Sequence, residues 1–279
     1  MNQSLTRQFF RFTIPTILSM VAFSLYTLVD GIFVAKGVGE TALAAVNLSS
    51  PYNSVMFAAG LLLAVGMSTT IAIRLGNGKH HEASSLFTRN LIVAVTVSIV
   101  ISVLTLLNLC AVAQFLGAEG DTLGYVMEYV GGVSPFAVFF ICSYNMEILV
   151  KTDGTPLLST IGVSLAGVTN LVLDWLFVMI FHWGVRGAAV ATGLAQVVST
   201  VLYLYYFAKR SKQLHFVKVS LKPSEFKIYR RTLPLGVADS ITEMSNGVVL
   251  FAFNQTILRL IGESGVVSYT VIGYVNTLV

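Results

Sequence analysis

Charge is what this sequence has least of. Lys, Arg, Asp and Glu together make up 11% of its 279 residues, where a soluble domain carries about 25%. That scarcity excludes an ordinary water-soluble globule. Cysteine is nearly missing as well. Cys110 and Cys142 lie in different apolar runs, so no disulfide is expected between them, and both read as buried packing thiols. There is no His-Glu-x-x-His and no phosphate loop. His80 and His81 sit in a polar loop beside Lys79, and His182 and His215 stand alone, so neither a metal site nor an enzyme is expected. No run alternates polar and apolar residues over the ~10 positions of a barrel strand. The first apolar run is too long for a signal peptide, contains Asp30 and lacks a small-x-small cleavage pattern.

What is present is apolar length. Hydrophobic residues make up 55% of the chain, and a helix needs about 20 of them to cross a bilayer. The fold class expected is all-α, a polytopic transmembrane bundle. Spans are predicted at 9–35, 42–73, 86–116, 122–150, 156–181, 184–208 and 229–261, with an eighth from 265 onward. With the N-terminus in the cytoplasm, fourteen of the 17 Lys and Arg fall on the cytoplasmic side and Lys36, Arg186 and Arg259 on the other. That split fixes the orientation by the positive-inside rule. The basic excess is therefore a topology signal and requires no nucleic acid. Eight of the fourteen lie in 209–231, which reads as a solvated linker able to touch anionic lipid.

That linker divides two similar beginnings. Arg11-Phe12-Thr13-Ile14-Pro15 opens the first side and Arg230-Arg231-Thr232-Leu233-Pro234 the second. Each opening leads to a Gly-Glu-hydroxyl turn, Gly39-Glu40-Thr41 and Gly262-Glu263-Ser264. Landmarks repeating in order indicate parallel repeats, a common way to build transporters. The organisation expected is a six-helix N-terminal lobe at 1–208, a basic linker at 209–228, and the start of a second six-helix lobe at 229–279. The sequence is expected to be a piece of a twelve-span protein.

Two acids lie inside spans. Asp30 sits late in the first and Asp174 in the fifth, one turn beyond Asn170 on the same face. Both spans run outward and both aspartates lie in the outer half by residue count, so the two carboxyls could meet at one depth. Thr192 of the sixth span adds a hydroxyl. Asn170 or Thr192 alone would read as interhelical glue, worth ~1 kcal/mol or less, whereas two intramembrane aspartates read as function. Oxygen ligands of this kind suit a small hard cation or a shared proton. Pro15, in the same helix as Asp30, marks a kink or a hinge. Asp239 and Glu243 share a face of the seventh span, with Glu243 the deeper and better candidate for a cavity acid. Glu147 reads as a rim residue, and Arg74 and Arg89 as topology markers.

These residues resemble the multidrug and toxic compound extrusion (MATE) family, in particular a bacterial branch. The resemblance rests on Val29-Asp30-Gly31-Ile32-Phe33-Val34, Val65-Gly66-Met67-Ser68-Thr69, Arg74-Leu75-Gly76-Asn77-Gly78, Lys151-Thr152-Asp153-Gly154-Thr155-Pro156, Asn170 with Asp174, and Gly187-Ala188-Ala189-Val190-Ala191-Thr192. It implies twelve helices in two lobes arranged as a V. It implies an antiporter of the bacterial plasma membrane that exports organic cations or drugs against inward Na⁺ or H⁺, with no other cofactor. A monomer surrounded by membrane lipid is the expected state. By the same resemblance Asp30, Asn170, Asp174 and Thr192 form the coupling-cation or proton site, Pro15 bends the first helix, and Glu243 is the acid of the seventh. One alternative is a related flippase for a lipid-linked saccharide or precursor, which would need a cationic cavity; the visible interior is acidic. A receptor or scaffold would need neither two facing aspartates nor a repeated bundle.

Overall fold

The computed structural model describes residues 5–220 and 222–276, although many side chains of the first helix and those of 274–276 lie outside the description. Among the described residues there are helices and no strand. Hydrocarbon offers no water to a free N–H or C=O, so a backbone that crosses it must satisfy itself within each helix.

The helices are α1 (Leu5–Gly37), α2 (Glu40–Gly76), α3 (His80–Leu107), α4 (Leu109–Phe115), α5 (Gly120–Val133), α6 (Ala137–Thr152), α7 (Pro156–Asp174), α8 (Gly184–Lys209), α9 (Tyr229–Leu260) and α10 (Glu263–Asn276). They follow the predicted spans closely, with three departures. The third span breaks at Asn108 into α3 and α4. The fourth breaks at a 3₁₀ turn, Ser134–Phe136, because Pro135 cannot donate a backbone bond. Side chains hold the turn in place: Ser102 Oγ donates to the Ser134 carbonyl at 2.7 Å, and Tyr52 and Ser134 share a hydroxyl bond of 2.9 Å. The fifth span ends in a π turn, Trp175–Ile180, directly after Asp174.

Among the described residues, five helical stretches are long and apolar enough to cross a membrane: Glu40–Gly76, His80–Leu107, Gly120–Thr152, Pro156–Ile180 and Gly184–Lys209. The predicted seventh span, α9, has the length, 32 residues, but Asp239, Glu243, Asn246, Asn254 and Gln255 interrupt its apolar run. The reading of both cysteines as buried is corrected. Cys142 is buried, but the break at Asn108 leaves Cys110 exposed on the short α4.

α2 is the central helix, touching α1, α3, α5, α6, α9 and α10. Its most extensive seam is with α9, which runs antiparallel to it. Asn254 Nδ2 donates to Asn47 Oδ1 at 2.7 Å near one end, and Ser240 Oγ to the Ala58 carbonyl at 3.0 Å midway. Toward the other end the two backbones touch. A Cβ on Gly66 would strike the Thr232 carbonyl, and one on Gly236 the Leu62 carbonyl. The two Gly-Glu turns match in backbone too. Gly39 (φ 127°) and Gly262 (φ 87°) both take a conformation open to glycine.

The basic linker keeps its lysines exposed, but its backbone is strapped down. Asp153, fully buried in the turn between α6 and α7, accepts from the backbone N–H of Lys212, Gln213 and Leu214 at 2.9–3.0 Å. It also accepts from the hydroxyls of Tyr206 (2.6 Å) and Ser211 (3.0 Å). Leu214 is fully buried beside it. Further on, the N–H groups of His215 and Val217 donate to Ser84 Oγ and Thr88 Oγ1, both at 3.2 Å, on one face of α3. Arg89 then pairs with Glu225 at 2.9 Å.

Two outcomes are expected. Gly66→Ala drives α2 and α9 apart and lowers stability by about 1–3 kcal/mol, read as a fall in the melting midpoint of the purified protein. Asp153→Ala orphans three backbone donors at a cost of about 1–3 kcal/mol each and frees the linker, read as faster tryptic cleavage after Lys212 and Lys218.

Candidate functional site

α7 is built to bring polar groups inward. Pro156 starts it at a position where its missing N–H costs nothing. Gly162, Ala166, Gly167, Asn170 and Asp174 fall on its buried side. α8 answers with small residues: Gly187, Ala188, Ala189, Ala191 and Gly193 are all buried, so the two helices pack closely. Thr192 lies within that stretch. Its hydroxyl donates to the Ala188 carbonyl at 2.9 Å and accepts from Asn170 Nδ2 at 3.3 Å. That bond orients the Asn170 amide and leaves its oxygen free.

Asp30 reaches the same place from α1, which packs along α7. Its side chain and that of Asp174 are within hydrogen-bonding reach of each other, with Asn170 beside them. Asp174 is fully buried and Asn170 is 1% exposed. Four buried oxygens here have no donor among the described residues: Asp30 Oδ1, both carboxyl oxygens of Asp174, and Asn170 Oδ1. Two carboxylates are acceptors only, so they can share a bond only if one carries a proton. Otherwise two buried negative charges face each other, which is costly without a cation. The donor set is hard oxygen throughout, suited to a proton or a small alkali ion. The four residues singled out in the sequence therefore lie together.

The remaining candidates lie apart from them. Glu243 is half-buried on α9 and bonds Ser54 of α2, while Asp239 is exposed one turn away. Both lie near Tyr144 of α6, together with Glu147. Glu147 is paired with Lys151 at 2.9 Å. Tyr144 packs on Phe57 with ring centres 5.3 Å apart. Pro15 falls within α1 but outside the described side chains, so the hinge reading rests on sequence alone. Sequence reasoning missed Asp153 as an anchor. Its Asp-Gly turn was visible, but its partners lie 53–61 positions away.

In sequence and overall fold the chain is similar to known proteins. The family model MatE matches residues 15–176, more than half of the chain. The multidrug export protein MepA of Staphylococcus haemolyticus is 23% identical over 268 residues, covering 96% of this chain and 59% of its own length. The MATE multidrug transporter DinF-BH, solved as a complex, superposes with a TM-score of 0.89 at 25% identity, covering 99% of this chain and 61% of its own. An inward-facing MATE family transporter of the MOP superfamily gives 0.83 at 27%, covering 92% and 58%. The chain thus spans about three fifths of the length of these relatives.

The unpaired acids have a measurable consequence for stability. Asp174→Asn replaces one of two facing carboxyls with an amide able to donate to Asp30. The melting midpoint of the purified protein in Na⁺-free buffer is expected to rise, by an increment of about 1–3 kcal/mol. An unchanged or lower midpoint would place Asp174 outside such a pair.

Proposed function

The chain belongs to the MatE family, and from that membership we propose that the protein is a cation-coupled antiporter exporting organic cations in exchange for Na⁺ or H⁺. Residues 1–208 form one lobe, 209–228 the connection, and 229–279 the opening of a second lobe. The basic end of the bundle, with the N-terminus, faces the cytoplasm of a bacterial cell, as the distribution of Lys and Arg supports.

The facing pair of buried acids carries the reading. Asp30, Asp174, Asn170 and Thr192 hold the coupling ion. Asp30 and Asp174 supply charge, Asn170 supplies an amide oxygen, and Thr192 keeps that oxygen pointed at the acids through its bond to the amide nitrogen. Ion arrival removes the repulsion between two carboxylates on separate helices, α1 and α7. α1 is the helix free to respond, since Ile14, Ile17, Leu18, Val21 and Leu25 along it are all about half exposed. A state of α1 that binds the ion more tightly is populated when the ion is present, and this differential affinity drives the cycle. Glu243 on α9, with Asp239 nearer water, gives the interior an acidic character suited to a cationic substrate.

The test uses the complete protein in proteoliposomes, with efflux of a fluorescent cationic dye driven by an imposed Na⁺ or H⁺ gradient. Asp30→Asn and Asp174→Asn are each expected to reduce gradient-driven efflux to background while leaving expression intact. Normal efflux in both variants would remove the assignment, and the gradient that drives the wild type identifies the ion.

A further inference from the structure

Away from the acids, a cavity of about 430 Å³ opens at the basic end of the bundle. Arg74 at the end of α2, His81 and Arg89 on α3, Lys227 in the turn before α9, and Arg231 on α9 all line it. The two glutamates in its wall are already engaged. Glu82 pairs with Arg74 and with Lys79, each at 3.0 Å, and Glu225 pairs with Arg89 at 2.9 Å. Lys227 and Arg231 have no ion pair among the described residues, so the cavity keeps two uncompensated cations.

Arg89 supplies the second observation. It is 5% exposed, and its Nε–H is buried without a partner. A guanidinium buried at such depth ordinarily has its donors filled, because an orphaned one costs as much as a lost hydrogen bond. The Arg89 side chain and the free charges of Lys227 and Arg231 border one space, large enough for an anion with an organic group attached. Tetrahedral oxyanions suit such a set, because guanidinium groups bind their oxygens in pairs and an ammonium adds charge without fixed direction.

We propose that this cavity binds a phosphate-bearing anion. The site lies where α2 ends and α3 and α9 begin, the depth at which phospholipid headgroups meet a span. Free phosphate shares the chemistry, and the two sources are separable by experiment. The occupant bridges α2 and α3 on one side to α9 on the other, and it ties down the segment that the sequence alone presents as a loose basic linker.

The purified full chain is titrated in neutral detergent with phosphatidylglycerol, with phosphatidylcholine and with inorganic phosphate, and its melting midpoint is followed. Phosphatidylglycerol is expected to raise the midpoint and phosphatidylcholine to leave it unchanged. The double variant Lys227→Gln/Arg231→Gln should weaken the apparent affinity about thirtyfold. Lys212→Gln/Lys218→Gln removes the same charge from exposed positions outside the cavity and should leave the affinity unchanged. A response to inorganic phosphate as well shows that the phosphate group suffices; a response to phosphatidylglycerol alone assigns the site to a lipid headgroup. Equal losses in the two double variants, no loss in the cavity variant, or no response of the wild type to either anion would overturn the proposal.

Discussion

A polar group inside hydrocarbon has no water to fall back on, and the arrangement of this bundle follows from that constraint. Buried amides and hydroxyls meet across helices. Asn90 bonds Asn145 at 3.1 Å, Ser143 bonds Ser199 at 2.7 Å, and Tyr203 donates to the Ser159 carbonyl at 3.1 Å. Each joins helices far apart in sequence and fixes their register. Even the proline break in the fourth span is held by side chains, through Ser102 and Tyr52. Against this background a cluster of acceptors with no donor is conspicuous, and only the group around Asp30, Asn170 and Asp174 assembles four such oxygens in one place among the described residues. Such an arrangement persists only if something outside the fold supplies positive charge.

The bundle also separates its firm contacts from its loose ones. α2 is enclosed by helices on most sides, and its seam with α9 is close enough for backbones to touch at Gly66 and Gly236. α1 rests chiefly on α7 and leaves an apolar face open. Asp30 on α1 and Asp174 on α7 lie across that one seam. The π turn after Asp174 widens the backbone at the same level, a feature common at functional sites.

The spans were legible because lipid demands long apolar runs: the eight predicted spans match α1 to α10 once broken ones are joined, and five of the described stretches are long and apolar enough to cross a membrane. The breaks were harder to see. Asn108 and Pro135 sit within runs whose average composition hides them, and the π turn leaves no compositional mark. The Asp30, Asn170, Asp174 and Thr192 group was legible because acids within spans are rare and a spacing of four places two residues on one face. The linker was misread for the opposite reason. Its composition is basic and polar, and nothing local reveals that Asp153, Ser84 and Thr88 wait for its backbone. α9 was legible in length but less so in polarity, since its polar residues face partners on α2 such as Asn47 and Ser54.

The strap around Asp153 has a consequence for biogenesis. All its receptors, Ser84, Thr88 and Asp153, precede the segment they hold. Chains are made from the N-terminus and their units fold in that order. The acceptors for residues 211–217 are therefore synthesised before the segment itself, so the strap can form before α9 is complete.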